Sequence, residues 1–317
     1  MRTKVLFDTD PGIDDAMALL MLARDPLAEL VGVTTVFGNA AVETTSANAL
    51  AICERFGIDV PVAAGAARPL RRAPRAHPVT IHGHDGLGDV GLPPARRRRA
   101  ETLSAPALLS AMARRHEGEL VLIAVGPLTN LAQALASDPG LPGRVRCVVV
   151  MGGAFGTHGH AGNVTPVAEA NVFCDPHAAD AVLAAPWPVE VVGLDVTHEV
   201  RMDGAYLDGL AAQGGDAGRF VRAITRAYED FHRPLIGSAI YAHDVSAVAC
   251  ALRPQRFRRR HGALRVVTEG LAMGQTIQAQ PGRRYGVPDW DGLPQQAVCV
   301  GVDAEGVLAD YRACFVR

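Results

Sequence analysis

Apolar residues in this chain come in short runs separated by longer stretches of mixed polarity. Val5-Leu6-Phe7 reads as a buried strand, and residues 16–23 follow with the apolar spacing of a helix. A second strand over 30–36 precedes a helix over 44–56, and residues 60–63 begin another extended piece. Strands over 120–125 and 145–151 enclose a helix over 128–136, and 189–194 is a further strand. Strands alternating with helices imply βαβ units. The expected fold is α/β: an open, mostly parallel, doubly wound sheet flanked by helices, with residues 1–317 as one domain.

In such a sheet, ligands bind beyond the carboxyl ends of the strands. Polar residues gather at those ends here. Asp8 and Asp10 follow the first strand and Gly38-Asn39 the second. Gly126-Pro127-Leu128-Thr129-Asn130, Gly152-Gly153 and Asp195 follow the next three. One edge of the sheet thus becomes the expected site.

Composition narrows the chemistry. With 49% hydrophobic residues and only 5% aromatic, the core is aliphatic. A net charge of −2 gives no electrostatic ground for a nucleic-acid or acidic-membrane partner, and neither is expected. Lys4 is the only lysine, which excludes Walker-A phosphate binding and Schiff-base chemistry in the body of the chain. Arginine runs over 68–75, 96–99 and 256–260 read as solvated loop charges. The six cysteines include no CxxC pair, so neither a zinc site nor a disulfide framework is expected. The first apolar run is too short for a signal peptide and no run approaches a membrane span, so the expected location is cytoplasmic.

The densest chemistry is Asp8-Thr9-Asp10-Pro11-Gly12-Ile13-Asp14-Asp15. Asp8 and Asp10 lie two apart on an extended segment and so share a direction. Pro11-Gly12 turns the chain, and Asp14 and Asp15 then open a helix, where carboxylates suit the N-terminal dipole. Four carboxylates this close repel unless a hard cation neutralises them, and Ca²⁺ accepts more and looser oxygen ligands than Mg²⁺. The plain alternative is two helix-cap acids and two solvated turn acids. A second polar segment is Gly162-Asn163-Val164-Thr165-Pro166-Val167-Ala168-Glu169-Ala170-Asn171, suited to binding several hydroxyls. A third is His243-Asp244 at the start of a helix over 245–252, where Asp244 alone reads as an N-cap and His243 as a satisfied core histidine.

Together with Phe37-Gly38-Asn39, Ile81-His82-Gly83 and Met151-Gly152-Gly153-Ala154, these segments resemble, in order along nearly the whole chain, the inosine–uridine type nucleoside hydrolase family. The resemblance implies hydrolysis of the N-glycosidic bond of ribonucleosides to ribose and free base. It implies Ca²⁺ held by Asp10, Asp15 and Asp244 and by the backbone carbonyl of Val125, with Asp10 also the general base. Asp14, Asn39 and Asn171 would hold ribose hydroxyls, Asn163 and Glu169 the 5′ hydroxyl, and Asp8 would support the others from behind. Met151 would line the substrate site. His243, then His82, would protonate the leaving base. A homodimer or homotetramer is the expected assembly.

Two positions depart from the family pattern: Ala170 where an aromatic is usual, and His177 where an acid is common. Tyr228, Phe231 and His232, on a helical stretch, are candidates for the wall around the base, with Trp290 behind them; core packing is the alternative for Tyr228 and Phe231. Purine or pyrimidine preference stays open. Two other functions compete. A haloacid-dehalogenase-type phosphatase also opens on a strand and DxD, but here Pro11-Gly12 follows and no later lysine exists. A calcium-loaded binding protein without turnover is the other, against which stand Asp10, Asn171 and His243.

Overall fold

The structure is a computed structural model and describes residues 2–316. Its strands are β1 (Thr3–Thr9), β2 (Ala28–Thr35), β3 (Val62–Ala64), β4 (Leu120–Ala124), β5 (Val145–Met151), β6 (Val189–Val192), β7 (Arg201–Asp203), β8 (Ala239–Tyr241), β9 (Phe257–Gly262), β10 (Leu264–Val266), β11 (Thr276–Gln278) and β12 (Gln296–Val302). Its α-helices are α1 (Ile13–Arg24), α2 (Val42–Arg55), α3 (Val79–His82), α4 (Ala105–Arg115), α5 (Thr129–Ser137), α6 (Ala170–Cys174), α7 (Pro176–Leu183), α8 (Leu194–Thr197), α9 (Gly204–Gln213), α10 (Gly215–Ile236), α11 (His243–Leu252) and α12 (Ala304–Ala313).

Eight strands form one sheet in the order β3-β2-β1-β4-β5-β6-β12-β9. Every neighbouring pair is parallel except β12 with β9. This is the expected mostly parallel α/β sheet. The pairs β7–β8 and β10–β11 form separate antiparallel ribbons.

Alternation along the central strands explains why both faces are covered. Val5, Phe7, Val121 and Ile123 join a core containing Met17 of α1, Ile224 of α10 and Val245 of α11. Leu6, Leu120 and Leu122 join a second core with Leu108 of α4, Leu131 of α5 and Val182 of α7. Successive side chains of a strand point to opposite faces, so each strand feeds both cores. Each fully buried aliphatic side chain contributes about 1.5–3 kcal/mol of transfer free energy.

Two comparisons with the sequence expectation bear on the site and its surroundings. Helix α1 begins at Ile13, ahead of the apolar run from residue 16 and with Asp14 and Asp15 in its first turn as expected, because the Asp15 carboxylate accepts the Gly12 N–H at 3.0 Å. The arginine run 256–260 is not a loop: residues from Phe257 form the edge strand β9. An edge strand tolerates charged residues, and here Arg259 pairs with Glu190 at 2.8 Å and Arg256 with Asp310 at 3.1 Å. Among the described residues, no helix is long and apolar enough to cross a membrane.

Candidate active site

Because β1, β2, β4, β5 and β6 run parallel, the polar segments that follow them meet on one edge. Asp15 is the hub. Its Oδ1 accepts the Thr9 hydroxyl at 2.5 Å and the Asp10 N–H at 3.0 Å. Its Oδ2 accepts the Gly12 N–H at 3.0 Å and Asn39 Nδ2 at 2.9 Å. The backbone N–H of Asn39 in turn donates to Asp10 Oδ2 at 2.7 Å, so the turn after β2 locks both acids after β1. Glycines permit this approach: a Cβ on Gly38 would lie 2.0 Å from Asp10 Oδ2, and one on Gly126 would lie 2.5 Å from Asp10 Oδ1.

Asp8 lies behind this layer, fully buried. Its Oδ1 accepts the Thr34 hydroxyl at 2.5 Å and Asn130 Nδ2 at 2.8 Å. Burial pushes its carboxyl up to about 7, against the lowering effect of those two hydrogen bonds. Asn130 also donates to the Thr35 carbonyl at 3.0 Å and accepts the Ala66 N–H at 2.9 Å. It thus ties β1, β2 and the segment after β3 together. Asn130 belongs to the polar segment after β4, but only the strand order brings it to Asp8.

Carboxylate oxygens of Asp14, Asp15 and Asp244 lie within 4.8 Å of one another, and all three residues are buried. Asp244 comes from the first turn of α11, far along the chain, to face the first turn of α1. Asp10 stands beside this trio rather than in it, with Oδ1 buried and free of any hydrogen bond. Burial raises the carboxyls of Asp10, Asp14, Asp15 and Asp244 above the ordinary range, Asp14 to about 8. Repulsion from neighbouring acids adds to this at Asp10, Asp14 and Asp244, the last of which feels Asp14, Asp15 and Asp10. Gathering these acids is costly in the absence of a counter-charge. The all-oxygen donor set and the unpartnered Asp10 oxygen fit a hard divalent cation.

The floor beside the acids is set by Asn171. Its Nδ2 donates to the Val125 carbonyl at 2.7 Å and to the Met151 carbonyl at 3.2 Å, spanning the ends of β4 and β5. Glu169 caps α6: Oε1 accepts the Asn171 N–H at 2.9 Å, and Oε2 accepts those of Gly153 at 3.0 Å and Val172 at 3.1 Å. Asn163 is exposed, and its Oδ1 accepts the Ala170 N–H at 3.0 Å. The two residues therefore also hold the loop over 162–171 in shape.

A wall of rings rises opposite. His82 at the end of α3 lies 5.9 Å from the Tyr228 ring, and Tyr228 lies 4.4 Å from His232, both on α10. Nδ1 of His82 accepts the Ile13 N–H at 3.2 Å, and burial lowers its pKa to about 3. Nδ1 of His243 meets the Thr197 hydroxyl at 2.8 Å; burial, then neighbouring His198, holds its pKa well below 6.5. The charges of Asp14, Asp244 and Asp15 add to burial in raising the pKa of Tyr228, which therefore faces the acids while also belonging to the core. Phe231 is 39% exposed and touches only the edge of this wall, with its ring 5.1 Å from that of His232. Trp290 packs instead against Tyr285 at 5.7 Å. The wall also includes Tyr241, 5.6 Å from His243, and His198, stacked on Tyr241 at 4.3 Å. Neither stood out in the sequence, because neither lies in a recognisable motif.

A family model described as inosine-uridine preferring nucleoside hydrolase matches residues 5–309. The chain is 38% identical over 317 residues to uridine nucleosidase 1 of Arabidopsis thaliana, covering 99% of this chain and 93% of that protein. It is 37% identical over 280 residues to an inosine-uridine preferring nucleoside hydrolase of Leishmania major, covering 87% of this chain and 88% of that one. Among solved structures, a plant nucleoside hydrolase, the PpNRh1 enzyme, superposes with a TM-score of 0.95 at 34% identity, covering 100% of this chain and 99% of the other. A purine-preferring ribonucleoside hydrolase from Gardnerella vaginalis gives a TM-score of 0.90 at 30% identity, with 98% of each chain covered.

Proposed function

The chain belongs to the inosine-uridine preferring nucleoside hydrolase family and is a ribonucleoside N-glycosidase, and from that premise we propose how its own residues carry the reaction. Water adds at C1′ of the ribose, the C1′–N bond breaks, and ribose and a free purine or pyrimidine base leave. The observation that carries the proposal is the buried trio Asp14, Asp15 and Asp244 with the unpartnered oxygen of Asp10 beside it.

Asp10, Asp15, Asp244 and the Val125 carbonyl would hold a calcium ion, with Asp14 left for the sugar. When bound, calcium neutralises these acids, orients ribose hydroxyls and lowers the pKa of a water molecule. Asp10 takes the proton of the attacking water. Its free Oδ1 has a lone pair to accept with, and burial favours the protonated product. Asp14, Asn39 and Asn171 hold the ribose hydroxyls. Asn163 and Glu169 take the 5′ hydroxyl, for which Glu169 Oε1 keeps a second lone pair beyond its bond to Asn171. These fixed oxygens face the ring on which positive charge develops as the bond breaks.

His243 supplies the hydrogen bond or proton that the leaving base needs, and His82 presents Nε2–H as a second donor. Tyr228 forms the base wall with them, and Phe231 and Met151 border the substrate. Uridine is the first substrate to test, since plant relatives at 38%, 37% and 36% identity are named uridine nucleosidases or probable ones. Inosine is the second, given the purine-preferring structural neighbour. One domain acting on a small nucleoside, in a cytoplasmic homodimer or homotetramer, completes the reading.

The test is reducing-sugar release from uridine, inosine and their 2′-deoxy counterparts, with and without a calcium chelator. Release from the ribonucleosides, abolished by chelation and much weaker for the deoxynucleosides, is expected. Chelator-insensitive turnover, or equal turnover of deoxynucleosides, overturns the assigned roles of cation and hydroxyls.

A further inference from the structure

The arginines of residues 68–75 are the charged feature that this scheme leaves unused. No acid occurs between Asp59 and Asp85, so Arg68, Arg71, Arg72 and Arg75 have no counter-charge in their own segment. Among the described residues, no carboxylate lies within ion-pairing distance of any of the four. The other arginine runs differ, since Arg98 pairs with Asp59, Arg256 with Asp310 and Arg259 with Glu190.

This segment borders the site. At one end the Leu70 N–H donates to Asp175 Oδ2 at 2.8 Å, just after α6. At the other, Nδ1 of His77 meets the Gly38 carbonyl at 3.1 Å, next to Asn39. Between them, the guanidinium carbons of Arg72 and Arg75 lie 4.4 and 5.0 Å from the centre of the Phe173 ring. Arg72 also donates to the Phe173 carbonyl. Phe173 belongs to α6, the short helix capped by Glu169 and opened by Ala170 and Asn171. The adjacent thiol of Cys174 feels both groups: Asp10 and Glu169 add to burial in raising its pKa, while Arg75 and Arg72 oppose them. The two guanidinium groups repel each other, and Asp175, too far for an ion pair, offsets this only in part at Arg72. Ala170 adds only a methyl group at the start of α6.

We propose that Arg72 and Arg75 bind a phosphate monoester on the 5′ oxygen of the ribose, so that nucleoside 5′-monophosphates are substrates of this site. The inference rests on the hydrolase reading above, which turns the 5′ end of the ribose toward Asn163 and Glu169 at the start of α6. Guanidinium forks match phosphate oxygens with paired, charge-assisted hydrogen bonds. The negative charge of Glu169 is partly balanced by the three backbone N–H groups it accepts. The chemistry is unchanged: water adds at C1′, the C1′–N bond breaks, the base leaves with a proton, and ribose 5-phosphate is the other product.

The test compares kcat/KM for uridine and uridine 5′-monophosphate, read as uracil release, in the calcium-loaded wild-type enzyme and in Arg75→Ala. Arg75 is exposed, so its truncation leaves folding intact. Wild-type enzyme is expected to release uracil from the monophosphate. Arg75→Ala is expected to lower that kcat/KM by about tenfold, the worth of one charge-assisted contact, with uridine turnover changed less than about twofold. Equal losses on the two substrates would assign the arginines to loop structure and overturn the inference. Turnover of uridine with neither turnover of nor competitive inhibition by the monophosphate overturns it too, and leaves the nucleoside hydrolase reading standing. No turnover of either compound, or of inosine, overturns both.

Discussion

Nδ1 of His82 accepts the backbone N–H of Ile13 at 3.2 Å, joining α3 to the first turn of the helix that carries Asp14 and Asp15. An accepting Nδ1 leaves the proton on Nε2, and burial, with His232 adding repulsion, holds the imidazole neutral down to about pH 3. In the proposed mechanism His82 thus acts as a hydrogen-bond donor rather than as a store of an extra proton. Nitrogen-15 NMR is expected to show one Nε2–H tautomer for His82 from pH 8 to 5. A His82 titration near pH 6.5 would contradict this. His82→Gln, which keeps an N–H donor, should retain more kcat than His82→Phe.

Asp10→Asn tests the general base. The asparagine carbonyl can still accept the Asn39 N–H, so the fold and melting temperature should change little. Loss of the proton acceptor should lower kcat by roughly 10²–10⁴-fold, the usual range for general base catalysis. A variant within about tenfold of wild type would show that another group activates the water.

Proton and cation compete for the acids, and the sign follows from the raised values. Asp8 and Asp14 move from 3.8 to about 7 and about 8 in the folded chain. Their contribution to stability is thus fully present below 3.8 and lost as pH rises through about 7 and 8. His82 acts oppositely: moved from 6.5 down to about 3, its contribution is present above 6.5 and lost as pH falls toward 3. Between 3.8 and 6.5 the two acids outweigh the one histidine, so on these groups chelated protein should lose melting temperature as pH rises from about 4 to about 8. Added calcium should raise the melting temperature more at high pH than at pH 6, because fewer protons must be displaced. A calcium effect that is flat with pH, or larger at pH 6, would argue against these acids as the binding site.

Asn130→Ala removes three hydrogen bonds at once, to Asp8, the Thr35 carbonyl and the Ala66 N–H. Each buried group left unsatisfied costs about 1–3 kcal/mol. Urea unfolding should show a stability loss of several times the error of the method, and a loss under about 1 kcal/mol would mean that water replaces the side chain. The kcat of Asn130→Ala should fall less than that of Asp10→Asn, since Asp8 reaches the site only through its backbone, which it shares with Asp10 and which accepts the Val125 N–H.

Several features of this enzyme were legible along the chain because they depend on near neighbours. The period of apolar residues is local, so strands β1, β2, β4, β5 and β6 and helices α1, α2 and α5 could be read directly, while the helices α4 and α7 that precede β4 and β6 were not read. The acid cluster could be read for the same reason: within eight residues, a strand, a Pro-Gly turn and a helix start leave the carboxylates few places to go. Strand order is not a local property. It decides that β12 inserts between β6 and β9, and it turned the arginines of β9 from expected loop charges into an edge strand. It also brings Asp244, Asn171 and Asn130 to Asp15, Val125 and Asp8. The ring wall depends most on tertiary packing. His198, Tyr241 and His232 come from three separate elements, carry no shared motif, and meet only because α8, β8 and α10 pack around the same edge. The acids' chemistry was set by sequence; which of them share a cation, and which rings face them, was decided by the way the sheet winds.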